Sequence, residues 1–196
     1  ALMDSERTMV ALLHTENELG KNLLVFNSHL SCCDNNEDRQ KQVDQFAAEW
    51  RDWRMNGLGP FEIEYGTPFV HVGDFNFVGY REQVETLRDG NIVNESQFGN
   101  DFSPDWDFTN IAETFPQHTH KRMGYTWRND ESSFNPGKLD YIFYSDATIT
   151  AGNQFILNSL ALDEQTLEHY GIEQNDTKNA SDHLPLIIDI VSTNNL

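Results

Sequence analysis

The chain has few cysteines, few basic residues and no long apolar run. Its two cysteines, Cys32 and Cys33, are adjacent. Neighbouring cysteines bridge only with a strained peptide, so we expect two buried or half-buried free thiols rather than a disulfide. They also lack the paired spacing of a structural zinc site. No apolar run approaches the roughly 18 residues of a membrane span, so the sequence predicts no transmembrane segment.

Basic residues are scarce, with 13 lysines and arginines against 32 acids and a formal charge of -19. Duplex nucleic acid is normally bound by basic side chains that displace its counterions, so this balance disfavours long DNA. It favours a small phosphorylated substrate or a lipid headgroup. The alternative is that the acidic surface keeps the protein in solution at high salt and is unrelated to any ligand. Hydrophobic residues at 38% and aromatics at 12% exclude general disorder, and the length predicts one domain, 1–196.

The most informative motif follows an apolar run at residues 68–72. This run is rich in branched and aromatic residues, so it predicts a strand that ends at Gly73-Asp74. Asp74 and Asn76 are two residues apart, and in an extended segment both side chains face one ligand. The alternative is a plain turn, since Asp and Asn favour turns by bonding their own backbone.

Three further places put a charged or polar group beside an apolar strand. A strand at residues 22–30 carries His29, and an aromatic strand at 139–144 carries Asp140. A buried carboxylate requires a cation or a hydrogen-bond donor, and His183 is the predicted partner of Asp140. Asp182 and His183 stand before the last apolar run. Taken singly, each has a structural alternative: Asp140 bonded to a backbone amide, Asp182 in a loop, His183 or His29 as a structural histidine.

Together the motifs resemble the endonuclease/exonuclease/phosphatase superfamily. The resemblance covers residues 22–190 and is carried, in this order, by Asn27-Ser28-His29-Leu30, Gly73-Asp74-Phe75-Asn76, Gly124-Tyr125-Thr126-Trp127, Lys138-Leu139-Asp140-Tyr141-Ile142 and Ser181-Asp182-His183-Leu184-Pro185. The resemblance implies a DNase-like α/β fold, a two-layer β-sandwich flanked by helices. It also implies metal-dependent hydrolysis of phosphate esters with Mg²⁺ or Mn²⁺.

The resemblance further implies a role for each matching residue. Asp74 orients or deprotonates the attacking water and, with Asp182, contributes to the metal site. His183 binds the phosphoryl group, and Asp140 fixes its tautomer. The resemblance implies three more roles, which are phosphate binding by Asn76, donation to a phosphate oxygen or the leaving group by His29, and substrate contact by Trp127. No serine or cysteine stands in a nucleophilic setting, so direct attack by water is expected.

The chain departs from the family pattern at its start. The family begins with a half that carries a strand asparagine and a metal-binding glutamate, and neither Glu16 nor Glu18 matches that motif. We therefore expect an incomplete version of the fold. Its inner sheet face would expose apolar residues to water and favour a homodimer, association with a separate N-terminal half, or strands added from the chain's own ends. The exposed residues would be Val25, Val70, Val72, Ile142 and Ile188. The alternative function is a catalytically incomplete module that binds a ligand or partner, and the sequence does not choose between a secreted and a cytoplasmic protein.

Local patterns predict the remaining elements. A strand at 8–13 precedes a turn at 16–21. Helices are expected at 36–54, 80–88 and 163–170, and strands at 125–127 and 147–157. Residues 89–116 read as a long irregular segment, and the polar stretch 118–122 as a solvated loop.

Overall fold

The computed structural model describes Met3 and residues 7–193. It contains seven strands, six α-helices and a 3₁₀ turn within the described residues. The elements, in chain order, are β1 (Thr8–Leu13), α1 (Glu16–Leu19), β2 (Leu23–His29), α2 (Asn36–Asn56), β3 (Phe69–Asp74), α3 (Arg81–Asp89), α4 (Glu95–Phe98), β4 (Ala112–Glu113), β5 (Asp140–Tyr144), β6 (Ile149–Ile156), the 3₁₀ turn (Ser159–Ala161), α5 (Glu164–Tyr170), α6 (Asp176–Ala180) and β7 (Leu186–Ser192).

The chain divides into two compact units. Unit 1 comprises the described residues up to 113 together with 141–150 and 191–193, and unit 2 comprises 114–140 and 151–190. Five strands form a mixed sheet in the order β1-β2-β3-β5-β4, and β6 pairs with β7 in a second, two-stranded sheet. The expectation of one domain over 1–196 stays a prediction.

Parallel pairing of β2 with β3 is the feature of unit 1 that matters most for the site. The register runs from Leu24 opposite Phe69 to His29 opposite Asp74. Gly73, opposite Ser28, has φ of 136°, and a Cβ there would lie 2.0 Å from the Ser28 carbonyl oxygen. Any side chain at this position would therefore separate the strand ends that carry His29 and Asp74.

Helix α2 covers an aromatic core in unit 1. Its apolar residues recur at helical spacing. The helix is capped by Gly57, whose φ of 69° is the left-handed conformation that glycine adopts without penalty. Phe26 of β2 lies at the centre of this core. Its ring is within 5.2 to 6.0 Å, centroid to centroid, of Phe46, Trp50, Trp53 and Phe69.

Unit 2 contains little apolar core. Its buried apolar side chains, among the described residues, are Ile156 and Leu162 with Pro116, whereas most of its other buried side chains are polar. These polar side chains are hydrogen-bonded across the unit. Ser159 and Thr177, for example, are joined by their hydroxyls at 2.9 Å. Hydrogen bonds therefore hold much of this unit in place of packed aromatic rings.

Most predicted elements are present with small shifts at their ends. Helices α2, α3 and α5 and strand β6 lie where their patterns predict them, and the Asp163 side chain caps α5 by accepting from the Thr166 amide. The predicted strand at 125–127 is wrong: Trp127 makes isolated bridges to Gly137 and His183 instead. The predicted turn at 16–21 contains the short helix α1.

Three expectations about exposure are corrected. Cys32 and Cys33 are exposed rather than buried, because they lie in the loop between β2 and α2. His118 is buried, although the neighbouring residues 120–122 are exposed as predicted. Within the apolar sheet face expected to meet water, Val70 and Ile142 are buried. The homodimer and the separate N-terminal half remain predictions.

Among the described residues, no helix combines the length and the apolar character needed to cross a membrane.

Candidate active site

Unit 1 contributes the final residues of two neighbouring parallel strands. His29 ends β2 and Asp74 ends β3, and their Nε2 and Oδ2 atoms are 3.5 Å apart. The His29 side chain is 74% exposed and that of Asp74 is 17% exposed. Because carboxyl ends of adjacent parallel strands meet at one edge of a sheet, the register alone explains how residues so distant in sequence come together.

Asn76 fixes the carboxylate of Asp74. The backbone N–H of Asn76 donates to Asp74 Oδ1 at 3.1 Å, and its Nδ2 donates to the carbonyl of Leu30 at 3.1 Å. Asn76 is buried and has φ of 52°, a left-handed conformation that asparagine tolerates better than most residues. The segment is therefore a turn and also brings Asp74, Asn76 and His29 together. The two readings of the motif are compatible.

Arg39 is a further charged residue near this group that the sequence did not reveal. It lies in the first turns of α2, is 0% exposed, and donates to the carbonyl of Ser31 at 2.6 Å and to Gln83 at 3.1 Å. Burial lowers the pKa of Arg39, and the negative charges of nearby groups, Asp74 among them, oppose this shift. Its polar sequence neighbours, Asp38 and Gln40, are typical of a solvated helix and gave no signal of burial.

Unit 2 contributes Asp140 and His183, which form a close pair as predicted. His183 Nδ1 and Asp140 Oδ2 are 2.8 Å apart, and both side chains are half-buried. An ionised carboxylate only accepts hydrogen bonds, so the proton lies on Nδ1 and, in the neutral ring, the lone pair lies on Nε2. This tautomer presents Nε2 as a base, and the protonated ring presents it as a donor.

Thr126 explains why Asp140 and His183 meet. Its buried hydroxyl accepts from the amides of Leu139 at 3.0 Å and Asp140 at 2.9 Å. Its carbonyl accepts from the amide of Leu184 at 2.7 Å, next to His183. One residue of the Gly124-Tyr125-Thr126-Trp127 motif thus connects the segments that carry the acid and the histidine.

Trp127 holds the third predicted site residue of this unit, Asp182. Its indole Nε1 donates to Asp182 Oδ2 at 3.0 Å, and the Asp182 carbonyl accepts from the amide of Arg128 at 2.9 Å. Trp127 is therefore seen here as the residue that orients Asp182. The substrate contact predicted for it stays a prediction.

The carboxylates of Asp74 and Asp182 fit the chemistry of a hard cation. Each has one oxygen engaged by a neutral N–H donor, from Asn76 and from Trp127 respectively. These bonds orient the two carboxylates, and Asp74 Oδ2 also lies 3.5 Å from His29 Nε2. Carboxylate oxygens are the ligands that Mg²⁺ and Mn²⁺ prefer.

A cavity of about 280 Å³ lies in unit 2 beside Asp182. Its wall carries two cations, Arg128 and Lys178, which both contact Asp130. Two further acids, Glu131 and Asp182, also line it. The hydrogen bond from Arg128 lowers the pKa of Asp130, which keeps this carboxylate charged. The cavity suits a small molecule of mixed polarity.

No protein-family model and no curated protein sequence matches the chain. Its structure is similar to ANGEL2, a 2',3'-cyclic phosphatase, with a TM-score of 0.54 and 19% identity over 93% of this chain and 60% of that chain. It is also similar to the human Nocturnin catalytic domain with bound sulfate, with a TM-score of 0.48 and 15% identity over 95% and 61%. A third is the mannosyl-6-phosphatase Bt3783 of Bacteroides thetaiotaomicron VPI-5482, with a TM-score of 0.46 and 17% identity over 88% and 52%.

The chain thus spans between 52% and 61% of the length of these three structures. The likeness to ANGEL2 is one of fold. It agrees with the mixed five-stranded sheet, the second two-stranded sheet and the flanking helices described above. The chain therefore has the DNase-like α/β fold that its ordered motifs predict, and its membership of the superfamily stays a prediction.

Proposed function

We propose that the chain is a metal-dependent hydrolase of phosphate esters in which water attacks phosphorus directly. The observation that carries the proposal is the 2.8 Å contact between His183 Nδ1 and Asp140 Oδ2. These residues lie 43 positions apart in the sequence. The superfamily resemblance implies this acid–histidine pair, and the pair has a defined chemical use at a phosphoryl group.

The proposal gives each group of residues a task. His183, oriented by Asp140, donates to a phosphoryl oxygen and stabilises the charge that develops there. Asp74 orients the attacking water and accepts its proton, while Asn76 keeps that carboxylate in place and binds phosphate. His29, exposed at the end of β2, donates to a phosphate oxygen or to the leaving group. We propose that the unit 1 residues and the unit 2 residues named in this paragraph serve the same reaction.

Asp74 and Asp182 are the proposed ligands of Mg²⁺ or Mn²⁺. When bound, such an ion neutralises charge on the phosphoryl oxygens. Trp127 and Asn76, by donating to these two carboxylates, limit the orientations available to them.

A small phosphorylated molecule or a lipid headgroup is the proposed substrate, in preference to duplex nucleic acid. The supporting features are the formal charge of -19 and a cavity of about 280 Å³ beside Asp182. A polyanionic duplex would be repelled by this charge, whereas a single phosphate would be held by a bound cation.

The test measures hydrolysis of bis(p-nitrophenyl) phosphate and p-nitrophenyl phosphate with Mg²⁺ or Mn²⁺, with and without a chelator. We expect turnover that disappears with chelator and falls strongly in Asp74→Asn and His183→Ala. His169→Ala is the matched control, because His169 is an exposed histidine of α5 in the same unit. Turnover that survives chelation, or that is unchanged in His183→Ala, would contradict the proposal.

Asp74→Asn, His183→Ala and the double variant test whether the unit 1 residues and the unit 2 residues serve one reaction. Residues that act in one chemical step lose rate non-additively, so the double variant should be little slower than the slower single variant. If the rate losses of the two single variants instead multiply in the double variant, the unit 1 and unit 2 residues do not act in one chemical step. Metal-dependent phosphate binding without any turnover would favour the binding-module alternative.

A further inference from the structure

The adjacent cysteines lie where they can react with each other. Cys32 and Cys33 are both exposed, and their sulfur atoms are 2.7 Å apart. They occupy the loop that leads from His29, at the end of β2, into α2. Two surface thiols in direct contact are open to reagents in solution, unlike the two buried or half-buried free thiols that the sequence predicted.

The backbone of this loop already has an uncommon conformation. Cys33 has φ of 62°, in the left-handed region that non-glycine residues seldom occupy. Consecutive Cα atoms across a trans peptide are about 3.8 Å apart, which is shorter than the usual separation in a disulfide. A bond between these sulfurs would therefore be strained, and strained, exposed disulfides are the ones that form and break reversibly.

The same loop is bonded to the buried arginine near Asp74. Arg39 Nη1 donates to the carbonyl of Ser31 at 2.6 Å and to that of Cys33 at 3.4 Å. The carbonyl of Cys32 accepts from the side-chain amide of Asn35 at 3.0 Å. Closing a ring through the two sulfurs turns the intervening peptide, so these acceptor carbonyls cannot all keep their positions.

We propose that Cys32 and Cys33 form a thiol–disulfide exchange site whose oxidation by a small disulfide closes a vicinal disulfide and changes the hydrogen bonds of Arg39. This site is separate from the proposed hydrolase chemistry and does not depend on it. Its co-reactant class is a low-molecular-weight disulfide such as glutathione disulfide. Its product is an eight-membered ring that a dithiol reductant reopens.

The exchange proceeds in two balanced steps. The thiolate of Cys32 attacks one sulfur of glutathione disulfide, and a glutathione thiolate leaves. Cys33 then loses its proton to solvent and attacks the Cys32 sulfur, which releases the second glutathione. Two protein thiols are oxidised by two electrons, and one small disulfide is reduced to two thiols. The hydrogen bond to Cys32 raises the pKa of Cys33, which agrees with Cys32 attacking first.

The test equilibrates the full chain with glutathione and glutathione disulfide at a series of ratios, followed by alkylation with iodoacetamide and intact mass spectrometry. The oxidised wild type should lose two hydrogen atoms, take up no alkyl group and return to the dithiol with dithiothreitol. Cys32→Ser and Cys33→Ser are matched controls. Each keeps a single thiol with no neighbouring thiol to displace glutathione, so each should instead retain one glutathione.

Two results would overturn the exchange site. One is alkylation of both wild-type thiols at every ratio, and the other is stable glutathione adducts or disulfide-linked dimers in place of the internal bond.

Hydrogen exchange then tests the structural consequence. Oxidation should speed exchange of the Asn35 amide, which is bonded to the Cys32 carbonyl, and leave the Cys32→Ser/Cys33→Ser variant unchanged. Identical exchange in both redox states would show that the bond to the Cys32 carbonyl survives ring closure, and would overturn the proposed rearrangement of the loop that Arg39 binds. None of these readouts uses phosphoesterase activity, so they stand or fall separately from the proposed function.

Discussion

The two units place the predicted site residues by different physical means. Unit 1 fixes His29 and Asp74 through the register of two parallel strands packed on an aromatic core. Unit 2 fixes Asp140 and His183 through hydrogen bonds centred on Thr126, with few buried apolar side chains among its described residues. Packing is non-directional and tolerates compensating changes, whereas a buried hydrogen bond depends on individual atoms. Substitutions in the two units should therefore fail in different ways.

The largest effect is expected in the core of unit 1. Phe26→Ala removes a ring that contacts Phe46, Trp50, Trp53 and Phe69, and it should lower the free energy of unfolding by about 4 kcal/mol. Leu162→Ala in unit 2 is the comparison, and it should cost about 2 kcal/mol, at the low end for a buried leucine. Urea unfolding followed by tryptophan fluorescence measures both. Equal losses would show that the contrast between the two cores is wrong.

A large effect on activity, with little effect on stability, is expected in unit 2. Asp140→Asn keeps the size of the side chain but no longer favours the proton on His183 Nδ1. It should lower kcat/KM for p-nitrophenyl phosphate about 100-fold, with a change in unfolding free energy below about 1 kcal/mol. Asp189→Asn is the matched control, because Asp189 accepts from the exposed Asn153 side chain elsewhere in the unit. A kcat/KM for Asp140→Asn equal to that of the control would contradict the proposed role.

Because His71 is buried in the aromatic core of unit 1, we expect the stability of the fold to depend on pH. Burial lowers its pKa from 6.5 to about 3, and its Nε2 is 2.7 Å from the Ser28 hydroxyl. As pH falls below about 6.5, the unfolded chain takes up this proton before the folded chain does. The contribution to stability that is present above pH 6.5 is therefore lost progressively down to about pH 3.

The variant His71→Gln keeps a hydrogen-bonding group for Ser28 but does not titrate. Between pH 6.5 and pH 4.5, the wild type should lose about 2 to 3 kcal/mol more unfolding free energy than this variant. Urea titrations of both proteins at the two pH values measure the difference. Parallel losses would assign the acid sensitivity to other groups.

The sequence predicted those parts of the molecule that depend on periodicity and local turns. Helix α2 was found because its apolar residues recur at helical spacing, and β3 because an apolar run ends at Gly73. The Asp140–His183 pair was found because a carboxylate in an aromatic strand requires a partner. Each of these signals is carried by the residues themselves or by their near neighbours.

Other features depend on contacts that leave no such pattern. Arg39 is buried although its neighbours in sequence are polar, because its donors meet backbone carbonyls of the loop before α2. The expected strand at 125–127 fails because Thr126 and Trp127 bond to two different segments rather than to one partner strand. Backbone partners so distant in sequence cannot be read from composition or spacing.

The last and smallest effect sharpens the description of unit 2. Thr126→Val keeps the shape of the side chain but removes the hydroxyl that accepts from the Leu139 and Asp140 amides. Leaving buried amides without an acceptor should cost about 2 kcal/mol of unfolding free energy. The variant should also lower kcat/KM about 10-fold, because the segment that carries Asp140 is less fixed and Asp140 then holds His183 less firmly.

Thr126→Ser is the control for this change, because it removes a methyl group and keeps the hydroxyl. It should retain most of the activity while losing about 1 kcal/mol of stability through the lost methyl. The two variants therefore separate packing from hydrogen bonding at one position: activity should follow the hydroxyl, and stability should respond to both. If Thr126→Val retained full activity, the position of Asp140 would have to be set by the strand β5 that it begins. Unit 2 would then place its predicted site residues by strand pairing, as unit 1 does.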